Sequence, residues 1–223
     1  MSTFVQQKYI DLFNDKAQAE AFVKTVFADG YAVLYDFLTP ETKEGIDALL
    51  ADRTYGNKKN AELDGTMGGN LAVSGELMKI LNTIHETRCR LENRECVPLK
   101  VEKQSCGFPY KNARDGATTK PTEFHYDAAY TNVLIPFVLP PEKTGEGHLI
   151  IYPSLRKRIK NKFVCSVISR VLRDVPFART FFPGKFVKYT VGGFHFFFGD
   201  ISFHGVLPIK HDERIVMTIN SHW

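Results

Sequence analysis

The spacing of apolar residues changes near residue 97 from a helical to a strand period, and that change restricts the fold more than any composition figure. Over the first 96 residues the apolar positions recur at intervals of three and four. Asp15 is placed to cap a helix carrying Phe22, Val23, Val26 and Phe27, Gly30 is its stop, and residues 31–35 read as a short strand. Thr39 and Pro40 suit the cap and first position of a second helix with Ile46, Leu49 and Leu50 on its buried stripe. After a polar, Gly-rich connection over 52–73, Ser74 opens a third, with Leu77, Ile80, Leu81 and Ile84.

Beyond residue 97 the runs are short, rich in Val, Ile, Phe and Tyr, and separated by Pro and Gly. Strands are expected over 97–104, 123–127, 132–138, 148–152, 186–191, 194–198, 201–206 and 214–220. One helical insertion interrupts them over 155–172, with Ile159, Phe163, Val167, Ile168 and Val171 expected to share a side. Helices followed by strands predict an α+β fold. Its core is expected to be a two-sheet jelly roll (double-stranded β-helix, cupin-like), with the N-terminal helices packed on one sheet. No linker divides the 223 residues, so one domain is expected, 1–96 as mainly helical support and 97–223 as the core.

Composition excludes several classes. With 43% hydrophobic and 24% charged residues the chain is an ordinary globular one rather than a disordered one. It has no apolar run near the length of a membrane span and its start does not read as a signal peptide, so no membrane partner and a cytoplasmic location are expected. A net charge of +4 would attract an anionic small molecule but argues against a nucleic-acid partner. Cys89, Cys96, Cys106 and Cys165 lack C-x-x-C spacing and are expected as reduced thiols, not as metal ligands. The oligomeric state is not readable.

The residues that carry chemistry are His125, Asp127 and His204. Alternate residues of a strand share a face, so His125 and Asp127, roughly 6 to 7 Å of backbone apart, can reach one ion. His204 lies in another strand-like run and supplies a second imidazole. Two histidines and one carboxylate form the donor face that leaves open positions on Fe(II). Arg214 follows His204 by ten residues, and its guanidinium fork suits a buried carboxylate. It could instead pair with Asp212 or Glu213.

In this order and spacing the chain resembles the Fe(II)/2-oxoglutarate-dependent dioxygenase superfamily, whose pattern is H-x-D/E, a distal His and an Arg about ten residues on. Residues 145–153 (GEGHLIIYP) look like the family's G-G-x-L-x-x-x-P segment and 199–206 (GDISFHGV) like its approach to the distal His. Residues 27–34 (FADGYAVL) look like its usual opening.

The resemblance implies Fe(II) on His125, Asp127 and His204, 2-oxoglutarate chelated to it and held by Arg214, and O2 as oxidant. The expected outcome is oxidation, most simply hydroxylation, of an unactivated C–H bond of a small molecule, with succinate and CO2 as coproducts. Family members that halogenate have a small residue in place of Asp127. The chain departs from a common pattern in which Ser or Thr follows the Arg by two, since Val216 stands there; Asn132 or Thr131 could supply the missing polar partner.

Two other readings remain at this point, a jelly-roll protein that binds metal or ligand without turnover and a cupin-like oxygenase that needs no cosubstrate. Charged residues between Gly107 and Thr122 (Lys111, Arg114, Asp115, Lys120) could line a lid for a free amino acid or natural-product intermediate, or simply solvate a loop. The Gly-rich run 65–70 lacks the Lys-Ser/Thr ending of a phosphate loop and reads as a loop near the site mouth. Arg156, Lys157, Arg158, Lys160 and Lys162 read as a solvated basic face, and His148 and His195 as packed, hydrogen-bonded core histidines.

Overall fold

The computed structural model describes residues 3–51, 71, 74–99, 106–107, 110–112, 122–127, 129–141, 146–158, 161–175, 177–181, 184–209 and 213–221. Helices α1 (Gln7–Asn14), α2 (Lys16–Asp29), α3 (Pro40–Ala51) and α4 (Gly75–Leu91) come first, with strand β1 (Ala32–Leu34) between the second and third. There follow β2 (Cys106–Gly107), β3 (Tyr110–Asn112), β4 (Thr122–His125), β5 (Thr131–Val138) and β6 (Leu149–Tyr152). Helices α5 (Leu155–Arg158), α6 (Lys162–Asp174) and α7 (Ala178–Phe181) precede β7 (Lys185–Val187), β8 (Phe194–Phe197), β9 (Phe203–Val206) and β10 (Glu213–Ser221). None of these helices is long and apolar enough to cross a membrane.

The strands form two antiparallel sheets. A six-stranded one runs β1-β8-β5-β10-β2 with β3 also on β10, and a four-stranded one runs β4-β9-β6-β7. Period-2 alternation decides what each face meets. Phe194, Phe196 and Phe198, Val133, Ile135 and Phe137, and Ile215, Met217 and Ile219 pack with the N-terminal helices in one cluster. Each of these buried phenylalanines contributes on the order of 1.5–3 kcal/mol. Their neighbours on the opposite face, Leu134, Phe197 and Val216, meet Leu149, Ile151, Val187 and Val206 of the smaller sheet and fill the space between the sheets. The smaller sheet's outer face, with Phe124, Tyr152 and Phe203, is covered by α6 through Leu172 and Ile168.

Local chemistry explains the helix ends. Asp15 accepts from the N–H groups of Ala17 and Gln18, and Ser74 from that of Leu77. Thr39 Oγ1 accepts from Thr42 N–H at 3.3 Å. Gly30 ends α2 at φ 86°, and a Cβ there would lie 2.8 Å from Pro153, so both conformation and space require glycine. Pro136 lies within central strand β5, at the bulge opposite Val216 where the ladder with β10 is interrupted; a bulge tolerates its missing donor.

The structure differs from the sequence reading in several places, among them that the expected helix over 155–172 is broken into α5 and α6 and that Asp127 lies past the end of β4. Helix α1 was not expected, although Tyr9 and Phe13 are buried four residues apart on it. Residues 97–99 are not strand: the Val97 carbonyl accepts from His85 Nε2 at 2.6 Å, which turns this segment onto α4 instead of into a ladder, and 100–105 lie outside the described residues. The start of the expected loop after Gly107 forms β3, paired with β10, while Arg114, Asp115 and Lys120 lie outside the described residues. On α6, Phe163, Val167 and Val171 are exposed, and Cys165 and Leu172 are the buried residues; both sides of the helix are apolar, so spacing alone did not say which faces the sheet. The side chains of Leu49 and Leu50, residue Ile159 and the run 65–70 also lie outside what is described.

His195 and His148 are core histidines as expected, accepting the backbone N–H of Thr190 and Tyr189 respectively. Burial holds the His195 pKa down at about 4. Because the unfolded chain binds this proton near pH 6.5 and the folded one does not until about 4, His195 contributes stability that is full above pH 6.5 and declines as pH falls between those values. Denaturant titrations at stepped pH should show that decline reduced in His195→Phe.

Arg88 of α4 is 1% exposed and grips Asp200 through Nη1–Oδ1 at 3.0 Å and Nη2–Oδ2 at 2.8 Å, while also donating to the Tyr130 carbonyl. Its guanidinium lies over the rings of Tyr130 and Phe198. Arg88 is buried while 24% of the Asp200 side chain meets water, so Arg88→Ala is expected to cost about 3 kcal/mol, the low end for breaking a buried pair, by urea denaturation.

Candidate metal centre

Antiparallel pairing of β4 with β9 sets His125 directly opposite His204, with ring centroids 4.7 Å apart. Between the Thr122–Val206 and His125–His204 pairs, β4 contains one more residue than β9, and this bulge re-aims His125 at the end of its strand. Asp127 lies just past β4, where its N–H donates to the Gly199 carbonyl at 3.1 Å. Its carboxylate meets His125 Nε2 at 3.0 Å through Oδ1 and His204 Nε2 at 3.1 Å through Oδ2. Two donors each about 2.1 Å from one cation and at a right angle to each other lie about 3.0 Å apart, so this spacing fits an ion held on one face.

The tautomers fit as well. His204 Nδ1 donates to the Ser202 carbonyl at 3.0 Å, which leaves the Nε2 lone pair for a cation. Burial pushes the Asp127 carboxyl up, but hydrogen bonds from the two imidazoles and their charge outweigh it and hold the group well below the usual carboxylate range. The His204 side chain is 6% exposed and that of His125 42%, so the open side of the trio lies toward His125.

Asn132 serves Asp127. Its Nδ2 donates to Asp127 Oδ2 at 2.6 Å and to Asn220 Oδ1 at 3.0 Å, and its Oδ1 accepts from Gly199 N–H at 3.2 Å. A Cβ on Gly199 would fall 2.2 Å from Asn132 Oδ1 and 2.6 Å from Asp127 Oδ2, so only glycine leaves room for this arrangement. Asn132 pairs across the sheet with Asn220, six residues along β10 from Arg214, on the order of 20 Å of strand. Its amide is therefore committed near the carboxylate ligand, not beside the arginine where the sequence reading put it. Thr131 is buried and bonded to Ser221.

Arg214 lies on the inward face of β10, 4% exposed, and its Nε has no hydrogen-bond partner among the described residues. Its guanidinium is 5.2 Å from the ring centre of Tyr189, whose buried hydroxyl faces it. Burial raises the Tyr189 pKa and the nearby Arg214 opposes the rise. A buried cation and a hydroxyl side by side are chemically suited to a carboxylate, and Tyr189 offers a hydroxyl where Val216 has none. Tyr189 was missed in the sequence because it lies in an aromatic-rich run where one more ring reads as core. Gly147, at φ 69°, sits under Arg214: a Cβ there would lie 2.9 Å from Arg214 Cδ. That contact gives the 145–153 segment a physical role.

A cleft of about 670 Å³ lies between α6 and the outer face of the smaller sheet, lined among others by Phe124, Phe203, Tyr126, Ser169, Arg170 and Arg173, and reaches the trio at His125. Tyr126 ties the metal strand to α6, its hydroxyl accepting from Ser169 Oγ at 3.2 Å, while Arg156 stacks on its ring and donates to the Asp200 carbonyl at 2.8 Å.

No protein-family model matches the chain, and no curated protein sequence matches it. Solved structures do. A prolyl 4-hydroxylase from Phytophthora capsici superposes with a TM-score of 0.61 at 15% identity, over 99% of this chain and 66% of that one. SnoN, a non-heme alpha-ketoglutarate-dependent epimerase of nogalamycin biosynthesis, superposes with a TM-score of 0.65 at 14% identity, over 93% and 84%. The chain shares the fold of these enzymes. A prolyl hydroxylase from Trichoplax adhaerens, solved with a hypoxia-inducible-factor peptide, gives 0.55 at 15% identity over 96% and 90%. SnoN has also been solved with Fe3+, alpha-ketoglutarate and nogalamycin RO. The family resemblance read from the motifs is thus met by a common architecture.

Since Asn132 orients the Asp127 carboxylate, Asn132→Ala should leave the fold intact and, if the trio holds a cation, weaken Fe(II) or Co(II) binding about 10- to 100-fold in a metal titration.

Proposed function

We propose that this chain is an Fe(II)- and 2-oxoglutarate-dependent oxygenase built on a jelly-roll core, and that it hydroxylates an unactivated C–H bond of a small anionic or zwitterionic molecule. The observation that carries this reading is the convergence of His125, Asp127 and His204, one donor atom of each within 4.8 Å of the others and the two imidazoles 3.0 and 3.1 Å from separate Asp127 oxygens, in a protein that also buries an arginine whose Nε has no partner among the described residues. A non-catalytic metal binder or a cosubstrate-free oxygenase has no use for Arg214 and Tyr189 buried as they are.

When bound, Fe(II), 2-oxoglutarate and O2 supply the oxidising chemistry. The chain's own residues hold and orient. His125 and His204 offer Nε2 and Asp127 its carboxylate; Ser202 and Asn132 keep His204 and Asp127 aimed. Arg214 and Tyr189 receive the cosubstrate's far carboxylate through charge-assisted hydrogen bonds. Leu134, Leu149, Val206 and Val216 keep water out of the space between the sheets, which strengthens that pairing. The cleft under α6 borders the trio through His125, and Arg156, Arg170 and Arg173 in its lining favour a negatively charged group on a substrate approaching from that side.

Anaerobic addition of Fe(II) and 2-oxoglutarate should give a weak visible charge-transfer band, and screening amino and organic acids for succinate release should find one that raises turnover above the uncoupled background. Asp127→Ala should abolish both signals. Arg214→Lys should keep the iron but raise the KM for 2-oxoglutarate about 10- to 100-fold, the loss of one charge-assisted hydrogen bond. Full activity in Asp127→Ala would sink the proposal.

A further inference from the structure

A second group of metal-capable side chains lies on the opposite side of the larger sheet, and the proposed oxygenase chemistry does not use it. His85 and Cys89 are four residues apart on α4 and so share a face, both almost fully buried. The helix ends at Glu92, and Asn93, at φ 52°, turns the chain back on itself. Asparagine tolerates this left-handed conformation at little cost. Arg94 N–H then returns to the Cys89 carbonyl at 3.0 Å, and the reversed segment brings Cys96 over the last turns of the helix. One donor atom from each of His85, Cys89 and Cys96 lies within 4.8 Å of the others.

The geometry points to a binding site for a thiophilic divalent cation of the zinc class on His85, Cys89 and Cys96. The Val97 carbonyl can only accept, so the 2.6 Å contact fixes the hydrogen of His85 on Nε2 and leaves Nδ1 with the lone pair. A carbonyl holding the far nitrogen is the usual way a ligating imidazole is oriented. Cys89 Sγ lies 3.9 Å from that Nδ1 and 3.7 Å from Nε2. Thiolate and imidazole donors on one tetrahedral zinc are separated by about 3.6 Å, so a cation on Nδ1 would need the Cys89 side chain to turn about its single χ angle toward Nδ1. Two sulfurs and one nitrogen select zinc, cobalt or another soft ion over Fe(II). Cys96 is exposed, which leaves the fourth position open to water.

A disulfide between Cys89 and Cys96 would have no use for His85, and this third donor favours a cation over a redox pair. The site would clip residues 94–99 to α4. That helix also carries Arg88, which holds Asp200, and the His85 ring packs edge-on against Tyr130, 5.0 Å away. Loading the clip would thus stiffen the support behind His204 without touching the reaction.

Cobalt distinguishes the two centres in the full-length chain, because only thiolate ligation gives an intense near-ultraviolet charge-transfer band and the His125, Asp127, His204 trio contains no sulfur. Reduced protein titrated with Co(II) should develop that band to one equivalent, zinc should abolish it, and Asp127→Ala should retain it. Cys96→Ser, at an exposed position, should keep its circular dichroism and lose the band, as should Cys89→Ser. Absence of the band from reduced wild-type protein would overturn the assignment, as would its persistence in both serine variants. Formation of a Cys89–Cys96 disulfide in air, with no band in the reduced form, would mark a redox pair and overturn it equally. Because Asp127→Ala is one arm, failure of this site and failure of the oxygenase reading give different results.

Discussion

The antiparallel register of β4 and β9 is the constraint on which the rest of the site depends. It puts two imidazoles, 79 positions apart in the chain, opposite each other on the face between the sheets. A slip of one residue would turn His204 outward and bring Phe203 or Gly205 inward, since side chains alternate faces. The register is defended by packing. Phe203 and Phe124 are buried on the outer face, and Gly205 leaves room for the Phe124 ring, where a Cβ would fall 2.7 Å from it. Apolar burial on one side of the smaller sheet thus places the polar donors on the other.

Behind that register stands a second layer of support from the helices. Arg88 reaches from α4 to Asp200, the residue after the glycine on which Asp127 and Asn132 rest, and Arg156 holds the Asp200 carbonyl from the other side. The turn before His204 is therefore held by charge-assisted hydrogen bonds at both ends. This explains why helices contributing no ligand nonetheless belong to the same unit as the site. The proposed clip at His85, Cys89 and Cys96 would act on the same helix, one turn from Arg88.

The space between the sheets is graded. Its middle is aliphatic, around Leu134, Leu149, Val206 and Val216; the metal-capable trio is at one end and Arg214 with Tyr189 at another position along β10. Leaving the Arg214 Nε without a partner among the described residues in such surroundings costs stability. An anionic ligand placed there would recover that cost, which links this group to the function proposed for it.

The sequence by itself determined the change from helices to strands, the caps at Asp15, Thr39 and Ser74, most strand positions, and the identity of His125, Asp127, His204 and Arg214. These signals are local, because hydrophobic period, capping chemistry and motif spacing act within a few residues. It did not disclose Arg88, Tyr189 or the gathering of His85 with Cys89 and Cys96, and it assigned Asn132 to the wrong neighbour. In each of those cases the deciding contact joins segments brought together by a turn or by sheet packing: Asn93 reversing the chain onto α4, β10 laying Asn220 beside Asn132. Tertiary structure also decided which apolar side of α6 is buried, since a helix apolar on both sides reads the same until the sheet it packs against is in place.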